Sequence, residues 1–361
     1  MYRQTSLTHG KAEGRKSLNA VGVAMSGGVD SSVTASLLKN KGYEVQGFFM
    51  SLNQPDLSQQ VERVKKVAGH LDIPLTVVDL ADEFKAAVLD YFTQSYFAGK
   101  TPNPCIICNP RIKFGRLLEE ILAAGCDCMA TGHYARIILD KNGFFRLLKG
   151  LDPAKDQSYF LHRLTQKQLA RILMPLGEQK KENVYKMAAA LGISGVHGSE
   201  SQDVCFLKGQ DLKSFLARHP EKDKGAGPIV TLEGQVLGRH QGIHCYTVGQ
   251  RKGLGIPDAT PYYVVALDPL NNAVLVGKKE DLWQRELSVE KVNWIEGREP
   301  VLPSEFFTKI RYRHKGAPAL VLPQEKGHYR VCFHEQQLAI TPGQFAVFYH
   351  GDEVLGGGVI L

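Results

Sequence analysis

No stretch of the 361-residue chain approaches the roughly 18 uninterrupted apolar residues that a membrane helix needs, and no short apolar block near its start leads into a small-residue cleavage site. Membrane insertion and export are therefore not expected, and the chain reads as cytoplasmic. Internal repeats and low-complexity segments are also absent. Seven cysteines, an odd number without an export signal, argue against a disulfide scaffold and for reduced thiols with chemical or metal roles. No excess of one charge dominates either. The formal net charge is +7, with 26 Lys and Arg against 20 Asp and Glu before residue 209, and 18 against 17 after it. Such a balance permits a polyanionic partner but is shared by many enzymes without one.

What is present is length enough for two or three cores. From Ala20 to Leu80, short apolar runs alternate with helical periodicity: AVGVAM, a helix from Ser31 to Asn40 closed by Gly42, then YEVQGFFM. DLSQQVERVKKVAGHL follows as a helix with Asp56 as its N-cap, then the apolar strand PLTVVDL. A helix near Asp82 to Phe97, a proline-rich loop TPNPCIICNP, a helix RIKFGRLLEEILAAG and a strand DCMATG continue the series. Helices between strands predict a doubly wound parallel sheet covered on both faces, an α/β domain. Further helices are expected at Gln166 to Leu173 and Glu182 to Leu191, followed by a polar loop, GVHGSESQDVCFL, that carries Cys205. Beyond Gly209, short strands separated by Gly, Pro and Asn predict a small β-rich central domain and a C-terminal β-barrel. The expected division is a disordered tail over 1–19, a catalytic domain over 20–208, a central domain over 209–281 and a barrel over 282–361.

The sharpest motif is Ala24-Met25-Ser26-Gly27-Gly28-Val29-Asp30-Ser31-Ser32, directly after the first strand and opening the first helix. Paired glycines allow a tight turn and close approach to a ligand, backbone amides and the helix N-terminus face an anion, and serines add hydroxyls. Pyrophosphate is the natural guest. The motif has neither the lysine of a P-loop nor the GxGxxG of a dinucleotide fold. It resembles the PP-loop, SGGxDS, of enzymes that split ATP between the α and β phosphates and adenylate a substrate oxygen. That resemblance places adenine against Met50 and Gly132, both at carboxyl ends of predicted strands, where ligands collect in open α/β sheets.

Cys105 and Cys108 form a C-x-x-C in the expected loop, Cys126 and Cys128 flank a buried strand, and Cys245 and Cys332 fall in β segments. The latter four read as small apolar core residues. Two chemical readings stay open for the rest. Cys105, Cys108 and a third cysteine suit zinc or an iron–sulfur cluster, though no second C-x-x-C completes a four-thiolate set. Alternatively one thiol carries a persulfide sulfur and another resolves the disulfide that results.

The ordered motifs, taken together, are similar to one family nearly end to end, the tRNA-specific 2-thiouridylases. They are SGGVDSS at 26 to 32, TPNPCIICN at 101 to 109 with IKF following, ATGHYAR at 130 to 136, KDQSYFL at 155 to 161, SQDVCF at 201 to 206, VGQRKGLG at 248 to 255, KIRYRH at 309 to 314 and TPGQFAVFY at 341 to 349. The resemblance implies a PP-loop catalytic domain of the adenine-nucleotide α-hydrolase type and thiolation of the wobble uridine of tRNAs, those for Lys, Glu and Gln. It implies ATP, with magnesium, as co-substrate, and a cysteine desulfurase or sulfur-relay protein as donor. Cys108 would be the nucleophile, Cys205 the persulfide bearer, and the two would join in a transient disulfide. Asn103, Pro104 and Cys105 would lie beside the target base, and His133, Lys155, Asp156, Gln157, Arg311, Tyr312 and Gln344 would contact tRNA. One departure stands out: many members have TPNPD where this chain has Cys105, so a proposed acid–base carboxylate is missing. The rival readings are a cluster-dependent tRNA thiolase using Cys105 and Cys108, an amide-forming PP-loop ligase, and a non-catalytic RNA-binding protein.

Overall fold

The computed structural model describes residues 18–52, 54–193, 204–219 and 223–361. The expected tail therefore lies, apart from its last two residues, outside the described residues, as does the stretch before Val204. Among the described residues no helix is long and apolar enough to cross a membrane.

The first strands are β1 (Ala20–Ala24), β2 (Glu44–Ser51), β3 (Leu75–Asp79) and β4 (Cys128–Ala130), then the hairpin β5 (Ala135–Leu139) and β6 (Phe145–Lys149), then the short β7 (Ile172–Leu173). A five-stranded sheet has the order β3-β2-β1-β4-β7, and every pairing in it is parallel. The central β1 is apolar along its whole length, with Val21 and Val23 fully buried, as a strand covered on both faces must be. On one face lie helices α1 (Val29–Asn40) and α2 (Leu57–His70), packed through Ala35, Leu38, Val64 and Val67. On the other, helical runs 81–97 and 104–123 bring Phe84, Phe92, Phe114 and Ile121 against Phe48 and Met129. Contact is close enough that a Cβ on Gly22 would meet Ile121 Cγ2 at 2.4 Å. The chain winds outward through β2 and β3, then returns to the other side of β1 for β4. The carboxyl ends of β1 and β4 consequently open a crevice at the point where strand order reverses.

Three expectations are corrected by the structure. The proline-rich TPNPCIICNP is not a loop: Pro104 takes the first helical position, where its missing N–H costs nothing, and 104–123 is one helical run. Pro110 is tolerated because Asn109–Leu117 is wound as a π-helix, and the Gln168 amide donates to the loosened carbonyls of Pro110 at 2.8 Å and Phe114 at 2.9 Å. Asp56 does precede α2, but in the left-handed region and without capping it; its carboxylate instead faces Lys208 at 3.6 Å. The helix expected over Gln166 to Leu173 ends at Leu169, because Ile172 and Leu173 are recruited as the edge strand β7. The hairpin of β5 and β6, unforeseen, lies outside the parallel sheet altogether.

That hairpin joins the C-terminal sheet. Strands β8 (Gly227–Thr231), β9 (Val236–His240), β10 (Tyr263–Asp268) and β11 (Ala273–Gly277) form a central four-stranded sheet with its own core around Ile229, Val264, Val274 and Val276. Then β12 (Trp283–Trp294), β13 (Ser304–Lys309), β14 (Ala317–Pro323), β15 (Tyr329–Leu338), β16 (Phe345–His350) and β17 (Glu353–Ile360) close into a six-stranded barrel, β12 pairing with both β15 and β17. The hairpin adds to the barrel through Glu353 opposite Leu148. Arg146 pins this seam, reaching Asp140 at 2.6 Å, Glu296 at 2.7 Å and Glu353 at 3.2 Å. Although desolvation opposes it, the hydrogen bonds from Phe144 N–H and Arg146 hold Asp140 below the ordinary carboxylate range, and those from Arg146 and Arg298 do the same for Glu296. The sign follows: the contribution is complete above the ordinary carboxylate range and fades as pH falls through the lowered values. Arg146→Leu, which strands three carboxylates, is expected to cost about 2–3 kcal/mol in urea unfolding at neutral pH, and less in acid.

Candidate active site

The phosphate loop is a strand–turn–helix joint built by its own side chains. Gly27 has φ of +72°, which a side chain would strain, and a Cβ there would press on Val64 and Arg63 of α2 at 3.1 and 3.2 Å. Gly28 is extended and precedes the first helical residue, Val29. The Ser31 and Ser32 hydroxyls donate to Gly28 O at 3.0 and 2.9 Å, and both residues are buried. Those two serines brace the loop, while Ser26 is its exposed hydroxyl. Met50, half-buried, is the last residue but one of β2, and Gly132 follows β4, so the two flank the loop at the sheet's carboxyl edge. Gly132 is pressed so tightly on Asp30 that a Cβ would meet its backbone at 2.9 Å.

Asp30 does not stand alone. Lys181, at the start of the Lys181–Ala190 helix, donates to both carboxylate oxygens at 2.8 Å, and Tyr134 OH donates to Oδ1 at 2.8 Å. The Lys181 side chain is only 9% exposed. Burial and the adjacent Asp30 charge raise the Tyr134 pKa, so the phenol stays a donor.

The thiols gather within electrostatic reach of Lys113. Cys105 and Cys108 occupy the first turns of the 104–123 helix, Cys105 exposed and Cys108 half-buried. Cys205 is exposed and begins the short turn Cys205–Leu207, which is anchored by Phe206 packed edge-on against Phe84 at 5.8 Å and Phe92 at 5.0 Å. Solvent reaches Cys105 and Cys205, yet enough protein surrounds all three thiols to disfavour their charged forms. Desolvation pushes Cys108 up to about 12 and Cys205 up to about 11, and raises Cys105. Repulsion among the thiolates adds to the rise at Cys108 and Cys205, whereas the Lys113 ammonium opposes it at all three. Alkylation of Cys205 by iodoacetamide is therefore expected to quicken about tenfold per pH unit from pH 7 to 10, tracking the thiolate fraction, and to be slower in Lys113→Met. Mass-spectrometric rates at each pH check this.

Lys113 also links the thiols to the nucleotide side. Its ammonium lies 3.5 Å from His133 Nε2, and His133 Nδ1 lies 2.8 Å from Thr131 Oγ1. An ammonium has no acceptor, so Nε2 is the unprotonated nitrogen and Nδ1–H donates to Thr131. Burial, with Lys113 adding to it, lowers the His133 pKa well below its usual value and keeps the ring neutral. Thiols, Lys113, His133, Thr131, Gly132 and Asp30 thus form one contiguous line.

The other expected positions divide. Asn103 and Pro104 open the cysteine helix. Gln344 of the barrel donates to Thr101 O at 2.8 Å, and Thr101 N–H donates to Pro342 O at 2.8 Å. The central domain reaches the same residue through Thr247, 3.4 Å away. Tyr312 packs on Phe160 at 4.5 Å, whose carbonyl accepts from Asn109 in the cysteine helix. Arg311 donates to Leu338 O at 3.1 Å. Lys155, Asp156 and Gln157 lie on the nucleotide side instead. Asp156 accepts from Gly150 and Ser158, Gln157 Oε1 accepts from Tyr134 N–H, and Lys155 N–H donates to Asp152 O. Sequence reading missed three side chains. Lys113 and Tyr134 sat inside the quoted motifs IKF and GHYAR, but Lys181 stands 151 residues from Asp30 with no local signal.

Cys126, just before β4, and Cys128, its first residue, are buried and fill core as expected. Among the described residues no group of three His, Cys, Asp or Glu is arranged to hold a metal ion.

Comparison with known proteins follows the same three-part division of architecture. Residues 19–209 match the tRNA methyl transferase HUP domain family, 213–278 the tRNA methyl transferase PRC-barrel domain family and 284–360 the aminomethyltransferase beta-barrel domain family. A protein of Desulfotalea psychrophila described as tRNA-specific 2-thiouridylase MnmA is 50% identical over 345 residues, covering 95% of this chain and 99% of that one. Proteins so described from Magnetococcus marinus and Moorella thermoacetica are each 46% identical, covering 94% of this chain and 98% of theirs.

Proposed function

The chain belongs to the tRNA-specific 2-thiouridylase family, and from that premise we propose that it replaces O2 of the wobble uridine of tRNA with sulfur at the expense of ATP. The observation that carries the reading is the convergence of Cys105, Cys108 and Cys205 around Lys113, one short line of contacts from the phosphate loop.

Residues 24–32 hold the phosphates of ATP, with Met50 and Gly132 on the adenine side. Magnesium would enter with the phosphates, and Asp30, the loop's carboxylate, would hold it only by sharing oxygens that now accept from Lys181 and Tyr134. It would neutralise charge on the leaving pyrophosphate. O2 of the flipped-out uridine attacks the α-phosphorus, pyrophosphate leaves, and C2 gains an AMP leaving group. The terminal sulfur of a persulfide on Cys205 attacks C2, and AMP departs with the original oxygen. Cys108, as thiolate, then attacks Sγ of Cys205. The Sγ–S bond breaks with its electron pair remaining on the base sulfur, and a Cys108–Cys205 disulfide forms. A reductant supplies two electrons to reopen it. The raised pKa values mean that these thiols are protonated in the free protein, so proton removal accompanies substrate binding, with the Lys113 ammonium at hand to stabilise the thiolate. Asn103, Pro104 and Cys105 lie beside the target base, and His133, Lys155, Asp156, Gln157, Arg311, Tyr312 and Gln344 contact the tRNA. A cysteine desulfurase or relay protein, acting in the cytoplasm, is the proposed sulfur source, and tRNAs for Lys, Glu and Gln the proposed substrates.

The test is single-turnover transfer of labelled sulfur from a persulfide donor to unmodified tRNA, with and without ATP. Label at the wobble uridine that needs both ATP and Cys205 is expected. Transfer that survives Cys205→Ser but is lost on iron chelation would replace this reading with a cluster-dependent one, for which the described residues offer no ligand set.

A further inference from the structure

We propose that Cys105 and Cys108 work as a dithiol exchange pair that takes the disulfide off Cys205, freeing the persulfide-bearing cysteine while the oxidised state is held at the N-terminus of the cysteine helix. The proposal rests on the reading above, in which a Cys108–Cys205 disulfide ends each thiolation.

Four observations converge on it. First, Cys105 and Cys108 are three residues apart in the opening turns of a helix, not in an irregular loop, so they share a face. Residues at that spacing hold their Cβ atoms about 5–6 Å apart, a separation that a small side-chain and backbone adjustment closes to a disulfide. Second, exposure is graded: Cys105 is open to solvent and Cys108 is half-buried, so an outside reductant meets Cys105 first. Third, Cys205 lies within electrostatic reach of both helix thiols: Cys105 acts on Cys205, and Cys205 acts on Cys108. A third thiol thus stands beside the disulfide that Cys108 and Cys205 make. Fourth, desolvation raises the Cys105 pKa, and two features oppose that rise: its place in the first turn, where backbone N–H groups are unpaired, and the Lys113 ammonium.

The step balances without an added oxidant. The Cys105 thiolate attacks Sγ of Cys108, the Cys105–Cys108 bond forms, the Cys108–Cys205 bond breaks, and Cys205 leaves as a thiolate that takes up a proton. No net oxidation occurs. A dithiol reductant later supplies two electrons to the Cys105–Cys108 disulfide, and meanwhile Cys205 accepts its next sulfur.

The experiment is one turnover of the full-length protein with a persulfide donor, ATP and unmodified tRNA. It is followed by acid quench, alkylation and mapping of disulfide-linked peptides. Wild type is expected to finish with Cys105 joined to Cys108 and Cys205 alkylated. Cys105→Ser and Cys105→Asp are expected to finish with Cys108 joined to Cys205. With a small dithiol as reductant, the ratio of steady-state to first-turnover rate should fall about tenfold in both variants; a ratio corrects for any change in base binding. A wild-type enzyme whose disulfide stays between Cys108 and Cys205, or variants whose ratio is unchanged, would overturn the proposal. Absence of both thiolated tRNA and any new disulfide in wild type would instead sink the parent reading.

Discussion

Cys205→Ser is expected to abolish thiolation of the wobble uridine, by roughly 10³-fold or more, while leaving tRNA-dependent release of pyrophosphate from ATP in place. The two halves separate because, in the proposed mechanism, the thiol acts only after the base has been adenylated, and the phosphate loop is braced by Ser31, Ser32 and Gly28 with no help from Cys205. Folding should be untouched. Cys205 is exposed, and its turn is fastened by the neighbouring Phe206 in an aromatic cluster with Phe84, Phe92 and Phe215. Labelled pyrophosphate and labelled sulfur followed in one reaction give the answer. Loss of both signals together would mean that Cys205 shapes the nucleotide site, contrary to the geometry described above.

Lys181→Met should act on the opposite half. Lys181 and Tyr134 both grip Asp30, in the first turn of α1 within the phosphate-loop motif, and the loop has no lysine of its own. Lys181 is thus a positioning residue for Asp30. Removing its charge is expected to lower kcat/KM for tRNA-dependent pyrophosphate release by about 10²–10³, equivalent to roughly 3–4 kcal/mol of transition-state stabilisation. Lys181→Arg should recover part of this, and Tyr134→Phe should lose only a few-fold, since it removes one neutral donor. A purely structural role would lower the melting temperature and leave KM for ATP where it was; the expected result is a change in KM and kcat with Asp30, one-third exposed, still able to find water. Prior alkylation of Cys205 should not alter the effect.

The two halves were not equally legible. The phosphate loop could be read because strand, glycine pair and helix are contiguous, and Gly27 at positive φ does what a glycine there is for. The parallel sheet followed from apolar runs between amphipathic helices. What escaped was whatever depends on a distant partner. Pro104 and Pro110 look like loop punctuation, but the first sits at a helix start and the second is accommodated by a π-type stretch whose carbonyls are satisfied from Gln168, 58 residues away. Ile172 and Leu173 are too few to announce a strand and become one by pairing with Met129 and Ala130. Lys181 begins a stretch that reads as a solvated helix, and only the fold turns it inward to Asp30. The cysteines were visible singly; that three of them share one lysine was not.

Thr101, tied to both outer domains just ahead of the cysteine helix, has a consequence for the order of synthesis. Its partner Gln344 lies 243 residues further along the chain. At about 5–20 residues per second, a ribosome needs roughly 12–50 s to make that stretch. The phosphate loop, the cysteine helix and Cys205 are all made well before the barrel strands that fasten Thr101 and complete the seam at Arg146. A newborn chain therefore carries its reactive thiols before it owns the frame that sets their positions, and becomes a competent enzyme only when its last strands close.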